Sequence, residues 1–238
     1  MAWSVELAYA VGLMATDGNL SSDGRHMSFI SRDGELVDTL RRCLGLTART
    51  RPTQTSRGGI LYRVQWGRRT LYDWFLTIGL MPAKSRRLAA LAVPDDYFVD
   101  FFRGCIDGDG TVLCYTDRYH AGKKADYVYE RLYVSLVTAS EPFAEWIRMK
   151  VERLVGVWGP IHRETKRGHH PQWRLRYAKA SSIQILRWMY YSPDVPCLAR
   201  KRAHGREVLR AARNGLGAPR WATAGRVVIQ WRGATSWR

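Results

Sequence analysis

The sequence has few acidic residues and no long apolar run. Asp and Glu number 21 among 238 residues, against 38 Lys and Arg, which gives a formal net charge of +17 and a pI of about 10.2. An imbalance this large opposes compaction unless a polyanion is a regular partner, so we expect nucleic acid first and an anionic membrane second. The absence of about 18 consecutive apolar residues excludes a transmembrane helix. Residues 1–20 lack a basic start, so a signal peptide is not expected.

Cysteine and lysine are also scarce. The four cysteines lie far apart and form no C-x₂-C pair, which argues against a zinc ribbon and against a secreted disulfide scaffold. Lysine supplies only seven of the 38 basic residues. Arginine, which supplies the rest, favours bidentate contacts with phosphate and guanine, although a GC-rich genome produces the same bias. We therefore expect the protein to be located in the cytoplasm of a bacterium or of a phage-infected host rather than in an organelle.

The chain contains an internal repeat. Residues 10–18 read AVGLMATDG and residues 102–110 read FRGCIDGDG, and both are apolar, helix-like segments with Gly at the third position and Asp-Gly at the end. From each motif the pattern continues as two strands, a helix, two strands, a helix and a basic stretch. The hydrophobic share of 46% is enough for a sizeable core. The repeat therefore indicates two related halves.

Each half is predicted to be a small α+β unit with an antiparallel sheet. We place the first half at 1–90, a linker at 91–98, the second half at 99–204 and a basic C-terminal extension at 205–238. The predicted strands are 19–24, 26–32, 48–54 and 60–67 in the first half, and 111–116, 131–138, 160–166 and 172–177 in the second. The predicted fold class is α+β, with two pseudo-symmetric αββαββα halves packed through the two motif helices.

The predicted strands have one apolar face and one polar face. Tyr62, Val64 and Trp66 alternate with Arg63 and Gln65, and the same period of two recurs in the strands of the second half. An antiparallel sheet with one face on a core gives this pattern. Ordinary solvated faces mix Glu, Asp and Lys, whereas these faces contain almost no acid. We therefore favour nucleic-acid contact over a plain solvated face.

The two motif aspartates are predicted to meet. Small residues recur four apart in both motifs and share one helix face: Ala8, Gly12 and Thr16, then Gly104 and Gly108. Such spacing lets two helices approach backbone to backbone. If the helices pack in parallel, their C-terminal ends meet and Asp17 lies beside Asp109.

A pair of carboxylates at two helix C-termini is unfavourable without a cation. The helix ends carry partial negative charge, and the two carboxylates repel each other as well. Hard divalent ions remove both penalties, and two such ions at a scissile phosphate are the arrangement for two-metal phosphodiester cleavage. The alternative is that Asp-Gly merely ends each helix with Gly in the left-handed conformation. Two matching motifs on a chain of net charge +17 favour the metal site.

The two segments resemble the signature motifs of monomeric LAGLIDADG homing endonucleases. The resemblance covers residues 5–204, and the second motif matches better, since Ala15 stands in the first where the second has Asp107. It implies two ββ saddles that straddle the DNA major groove, with both strands cut across the minor groove to leave short 3′ overhangs. It also implies two or three Mg²⁺ ions, replaceable by Mn²⁺ or Ca²⁺ for binding, at these ligands: Asp17, Asp109 and the carbonyls of Thr16 and Gly108.

The resemblance implies roles for further residues. By order along the chain, Lys84 and Lys201 are the catalytic lysines that the family places near the cleaved phosphates; each could instead be a solvated side chain in a basic run. The expected DNA-binding residues are Arg25, Ser28, Ser31, Arg32, Arg49, Arg51, Arg63, Gln65, Arg68 and Arg69, then Arg131, Tyr133, Ser135, Thr138, Ser140, Arg163, Arg167, Gln172, Arg174 and Arg176. Which of them read bases and which bind phosphates stays open.

The expected function is site-specific cleavage of a long, pseudo-palindromic double-stranded DNA site by a monomer, as in intron homing. Two alternatives stay open: an RNA-binding intron maturase, and a non-catalytic DNA-binding regulator on the same scaffold. Such maturases tend to lose an acidic ligand, so the retention of Asp17 and Asp109 favours the nuclease. The expected partner is double-stranded DNA, with intron RNA as the second candidate and no membrane.

Overall fold

The helices and strands follow the order expected from the repeat. The computed structural model describes residues 1–56, 58–119, 129–165 and 167–213, the last three without their side chains. The helices are α1 (Val5–Thr16), α2 (Gly34–Cys43), α3 (Arg69–Thr77), α4 (Asp95–Gly108), α5 (Glu141–Val155), α6 (Lys179–Met189) and α7 (Ala199–Arg213), with a 3₁₀ turn, η1, at Lys84–Arg86. The strands are β1 (Gly18–Leu20), β2 (His26–Ser31), β3 (Arg51–Gln54), β4 (Ile60–Gly67), β5 (Gly110–Asp117), β6 (Tyr129–Thr138), β7 (Ile161–Glu164) and β8 (Gln172–Tyr177).

Each half folds around an antiparallel sheet of four strands. The strand order is β1-β2-β4-β3 in the first sheet and β5-β6-β8-β7 in the second. The two sheets share one register, with matched triplets across three strands: Gly18, Phe29, Val64 and Gly110, Leu136, Leu175. The first member of each triplet follows a motif aspartate, so one pseudo-symmetry relates both the motifs and the sheets. The predicted α+β class with two αββαββα halves is confirmed.

Backbone contact between α1 and α4 joins the two halves. A Cβ added at Gly12 would lie 2.1 Å from the Phe101 carbonyl oxygen, and one added at Gly104 would lie 2.2 Å from the Tyr9 carbonyl oxygen. No side chain fits at such distances, so only Gly allows these helices to pack this closely. The small-residue spacing in the motifs is explained by this contact.

The apolar faces of both sheets belong to the buried core. Val64 and Trp66 of β4 are buried, whereas Arg63 and Gln65, which alternate with them along the strand, are exposed.

Across the described ranges, no helix is long and apolar enough to span a bilayer. Helix α4 begins inside the predicted linker and α7 crosses the predicted start of the C-terminal extension. The rest of that extension, residues 214–238, lies outside the described residues.

Candidate active site and nucleic-acid interface

The two motif aspartates end the two central helices and meet at one seam. Asp17 is the C-cap of α1 and its amide donates to the Leu13 carbonyl. Asp109 is the C-cap of α4 and its amide donates to the Cys105 carbonyl at 3.1 Å. A Cβ added at Gly108 would lie 3.3 Å from Asp17 Oδ2, so the Asp17 carboxylate rests against the end of the other helix.

The protein around this seam disfavours charge on both carboxyls. Burial raises the pKa of Asp17 to about 8, and the Asp109 carboxylate also raises it, whereas the ammonium groups of Lys84 and Lys201 lower it. Asp109 is the more exposed residue. The surrounding protein still displaces enough water to raise the pKa of Asp109 as well. A cation between the two carboxylates would remove this penalty.

Both predicted lysines are buried beside the carboxylates rather than solvated. Lys84 Nζ donates to the carbonyls of Thr16 at 2.9 Å and Gly18 at 2.7 Å. Lys201 Nζ donates to three carbonyls, two in the last turn of α4 and one at the start of β5: Ile106 at 2.6 Å, Asp107 at 3.0 Å and Gly110 at 2.8 Å. Burial lowers the pKa of both lysines, that of Lys201 to about 8, and the nearby carboxylates oppose the shift. Each lysine thus donates hydrogen bonds to the backbone at the C-terminal end of the motif helix in its own half.

The donor groups at the seam suit a hard divalent cation. In the part of the chain that is described, no cluster of three or more His, Cys, Asp or Glu is present. The available protein ligands are therefore the carboxylates of Asp17 and Asp109 and backbone carbonyls, an oxygen set that leaves places for water and phosphate, as Mg²⁺ prefers. Gly108 keeps this space open, because a Cβ there would lie 2.1 Å from Thr16 Oγ1. The Thr16 carbonyl, a predicted ligand, already accepts from Lys84 but has a second lone pair.

A buried polar cluster behind the seam was not foreseen from the sequence. Asp107 Oδ2 accepts from the Tyr9 hydroxyl at 2.8 Å and from the Leu198 amide at 2.7 Å. Arg103, with 0% of its surface exposed, donates to the carbonyls of Met189 and Pro196, both at 2.8 Å. These bonds tie the segment that precedes Lys201 to α4. The only sequence signal was the presence of charged residues inside a helix expected to be buried.

The first sheet exposes a basic face. Cross-strand pairs place Arg51 opposite Arg63 and Ser28 opposite Gln65, with Asn19 beside Ser28, although Ser28 itself is buried. Asn19, which sequence reasoning missed, is exposed on the same face. Of the remaining predicted contacts, Arg32, Arg49, Arg68 and Arg69 lie near the strand ends and Arg25 in the β1–β2 turn, where the Arg68 amide donates to the Arg25 carbonyl. Strands β1–β4 contain no Asp or Glu.

The second sheet exposes a face on which arginine is paired with acid. Arg176 lies opposite Ser135, and the same face carries Gln172, Arg131, Tyr133 and Arg174. Here the expectation of almost no acid was wrong. Asp117 accepts from Arg131 Nε at 3.1 Å, and Glu164 binds Arg174. These acids were missed because they stand at the ends of β5 and β7, where apolar and polar residues do not alternate.

Some predicted contacts do not lie on the exposed faces. Ser31 and Thr138 accept hydrogen bonds from the amides of Asp33 and Ser140, in matching turns that lead into α2 and α5. Ser140, 1% exposed, caps α5 by accepting from the Phe143 amide. Arg163 lies opposite Trp173, with its Cζ 6.0 Å from the Trp ring centre, and so on the other face from Arg174. Arg167 is exposed in the β7–β8 turn.

No protein-family model and no curated protein matches the sequence. The fold is similar to solved structures at low identity. The meganuclease I-SmaMI, bound to uncleaveable DNA, has a TM-score of 0.58 and 11% identity over 88% of this chain and 91% of its own. I-DmoI in complex with DNA and Ca has a TM-score of 0.55 and 16% identity over 84% and 97%.

The same fold occurs in full-length WhiA from Thermatoga maritima, which is not named as an endonuclease. Its TM-score is 0.53 at 12% identity over 89% of this chain, and this chain spans 62% of its length. The separate LAGLIDADG domain of WhiA is similar at a TM-score of 0.52, with 12% identity over 81% of this chain and 85% of that domain. At sequence identities this low, the similarity shows a shared fold. The chain therefore has the two-half LAGLIDADG fold.

Proposed function

We propose that the chain is a site-specific, metal-dependent endonuclease that cuts both strands of a double-stranded DNA target. One observation carries the proposal: Asp17 and Asp109 meet at the ends of two helices, beside two buried lysines, in a protein with two exposed basic sheet faces. Solved proteins of the same fold are named as a meganuclease and as a LAGLIDADG homing endonuclease, and both were crystallised with DNA. Both halves of the site stand on one chain, so we propose a monomer.

In this proposal Asp17, Asp109 and the carbonyls of Thr16 and Gly108 hold two or three divalent ions, Mg²⁺ by preference. Bound there, the ions would supply an activated water and neutralise charge on the cleaved phosphates. The carboxylates fix their position, and the two sheets hold the duplex across the seam. Neither lysine is placed as a freely moving proton donor, because backbone carbonyls already hold the ammonium groups. They contribute fixed positive charge close to the position where negative charge develops.

DNA binding without cleavage is the second candidate function, because the same fold occurs in WhiA, which is not named as an endonuclease. A protein that only binds DNA gains nothing from two carboxylates at the helix seam, because burial opposes the charge on each carboxylate and the two also repel each other. Retention of both aspartates therefore supports the nuclease. A maturase that binds intron RNA would share the basic faces. It would be distinguished from the nuclease by binding RNA in preference to duplex DNA.

A cleavage selection tests the proposal directly. Purified protein would meet a library of randomised duplex DNA with Mg²⁺, and parallel reactions would contain EDTA or the Asp109→Asn variant. The expected result is one enriched cut site that disappears in both controls. Duplex that is selected by binding but stays uncut, with or without metal, would overturn the nuclease in favour of the binding protein.

A further inference from the structure

The arginines on the second sheet are held in fixed orientations by neighbouring side chains. Arg174 Nε donates to Glu164 Oε1 at 2.5 Å and its Nη2 donates to Glu164 Oε2 at 3.0 Å, a bidentate pair across β7 and β8. Both side chains reach solvent, with 24% of Arg174 and 36% of Glu164 exposed. The pairing uses one edge of the guanidinium. The other edge, with one N–H from each terminal nitrogen, is directed away from the carboxylate.

Arg176 is fixed by stacking instead of charge. Its Cζ lies 3.6 Å from the centre of the Tyr133 ring, which itself packs against the Tyr115 ring at 6.4 Å. Stacking of this kind restrains the plane of the guanidinium and leaves its N–H groups in that plane. Arg174 and Arg176 alternate along β8, so the two restrained groups share the exposed face of the sheet.

The first sheet has neither device at the equivalent positions. By the matched register, Arg63 corresponds to Arg174, Gln65 to Arg176 and Thr53 to Glu164. No strand of the first sheet carries an acid that could pair with Arg51 or Arg63. The strand arginines of the two sheets therefore differ in kind: Arg51 and Arg63 have no acid on their own sheet, whereas Arg174 is paired with Glu164 and Arg176 is stacked on Tyr133.

These two states of arginine suit different parts of a DNA duplex. Attraction to the phosphate backbone comes from net charge and tolerates a mobile side chain, since it carries no sequence information. Recognition of guanine needs two parallel N–H groups aimed at O6 and N7, and a group already held in that geometry loses less entropy on binding. A carboxylate partner weakens the first interaction and favours the second.

We propose that Arg174 and Arg176 determine specificity by reading guanine in the half-site under the second sheet, while Arg51 and Arg63 bind phosphates under the first. Glu164 and Tyr133 are the positioning residues. The inference rests on the DNA binding proposed above and does not depend on cleavage. It predicts an asymmetric target, with its strongest base preferences on one side.

A binding selection on randomised duplex DNA in EDTA, where the proposed cleavage cannot occur, tests the assignment. Wild type is expected to select guanine at positions under β8. Glu164→Gln should lower one guanine preference about tenfold, while affinity for random duplex rises because the protein gains one positive charge. Tyr133→Leu should weaken the other preference without that rise. Glu145→Gln, which breaks a similar pair with Arg148 on α5, is the control: charge changes equally, and the base profile should stay as in wild type.

A gain-of-function variant guards against the case in which Glu164→Gln does not fold. Thr53→Glu places a carboxylate beside Arg63 in the same register, so a guanine preference should appear in the first half-site while affinity for random duplex falls. An unchanged profile in Glu164→Gln, or no new preference in a folded Thr53→Glu, would overturn the assignment while DNA binding stands. If wild type retains no duplex at all, the proposed DNA-binding function fails, and the assignment fails with it.

Discussion

The two motif helices, α1 and α4, are alike where they contact each other. They differ where they face the segments that carry Lys84 and Lys201. Gly12 and Gly104 make the same backbone contact from opposite sides. Three buried charged residues flank that contact on α4, and the positions that correspond to them on α1 are apolar: Asp100, Arg103 and Asp107 against Ala8, Val11 and Ala15. The pseudo-symmetry therefore holds for the shared contact and for the two motif aspartates, but it fails in the buried charged residues behind them.

This difference determines how the segments that carry Lys84 and Lys201 are held in place. In the second half, Arg103 and Asp107 bind the chain between α6 and α7 and so fix the segment that precedes Lys201. In the first half, the segment that follows Lys84 is held from the other half, because the Ser140 hydroxyl donates to the Leu88 carbonyl. The two lysines thus make similar contacts with the ends of the motif helices but are held in place differently, and we expect the two halves to respond unequally to mutation.

The largest expected effect lies in what the halves share. Asp17→Asn and Asp109→Asn should each reduce cleavage by at least about 1,000-fold, roughly 4 kcal/mol in activation free energy, because each removes a carboxylate from the proposed metal site. DNA binding should be retained, since repulsion at the helix ends is relieved. Single-turnover cleavage and gel-shift titration would measure both, with Asp194→Asn in an exposed loop as the control. Cleavage near the wild-type rate in either variant would place the metal elsewhere.

The helix contact should be equally sensitive from both sides. Gly12→Ala and Gly104→Ala each place a methyl group about 2 Å from a carbonyl oxygen of the partner helix, so each should lower the free energy of unfolding by about 3 kcal/mol. Denaturant titration would give both values. Gly34→Ala is the matched control, because its Cβ would meet the Tyr62 ring at an ordinary 3.4 Å. A large difference between the two glycines would show that the halves do not share the contact equally.

The unshared layer should affect one strand of the DNA more than the other. Asp107→Ala makes the second helix resemble the first at this position and leaves the Tyr9 hydroxyl and the Leu198 amide without their acceptor, at a cost of about 2 kcal/mol in stability. Because Leu198 precedes Lys201, cleavage of one strand should slow and nicked DNA should accumulate. Tyr9→Phe removes only one of the two bonds and should produce a weaker form of the same effect. Equal slowing of both strands would contradict unequal support.

The sequence predicted the shared features far better than the unshared ones. The strand alternation and the motif glycines have local periods, so the sheets and the helix contact could be read from short windows. The bond between Asp107 and Leu198 joins residues 91 positions apart, and no local pattern reports it. Ser31 was expected among the DNA contacts, but it lies in register with Tyr62 on the buried face, because each step along a strand reverses the direction of the side chain.

The smallest expected effect separates the two sheets through their response to salt. Arg63→Ala should reduce the slope of log affinity against log salt concentration by about 0.9, the value for one lost phosphate contact. Arg174→Ala should change that slope less, because Glu164 already offsets its charge, and should reduce discrimination between sequences instead. Titrations of one selected duplex and one random duplex at several salt concentrations would measure slope and discrimination together. Equal slope changes in the two variants would mean that both sheets hold the backbone in the same way, and target asymmetry would then have to arise from the unequal lengths of the β1–β2 and β5–β6 hairpins.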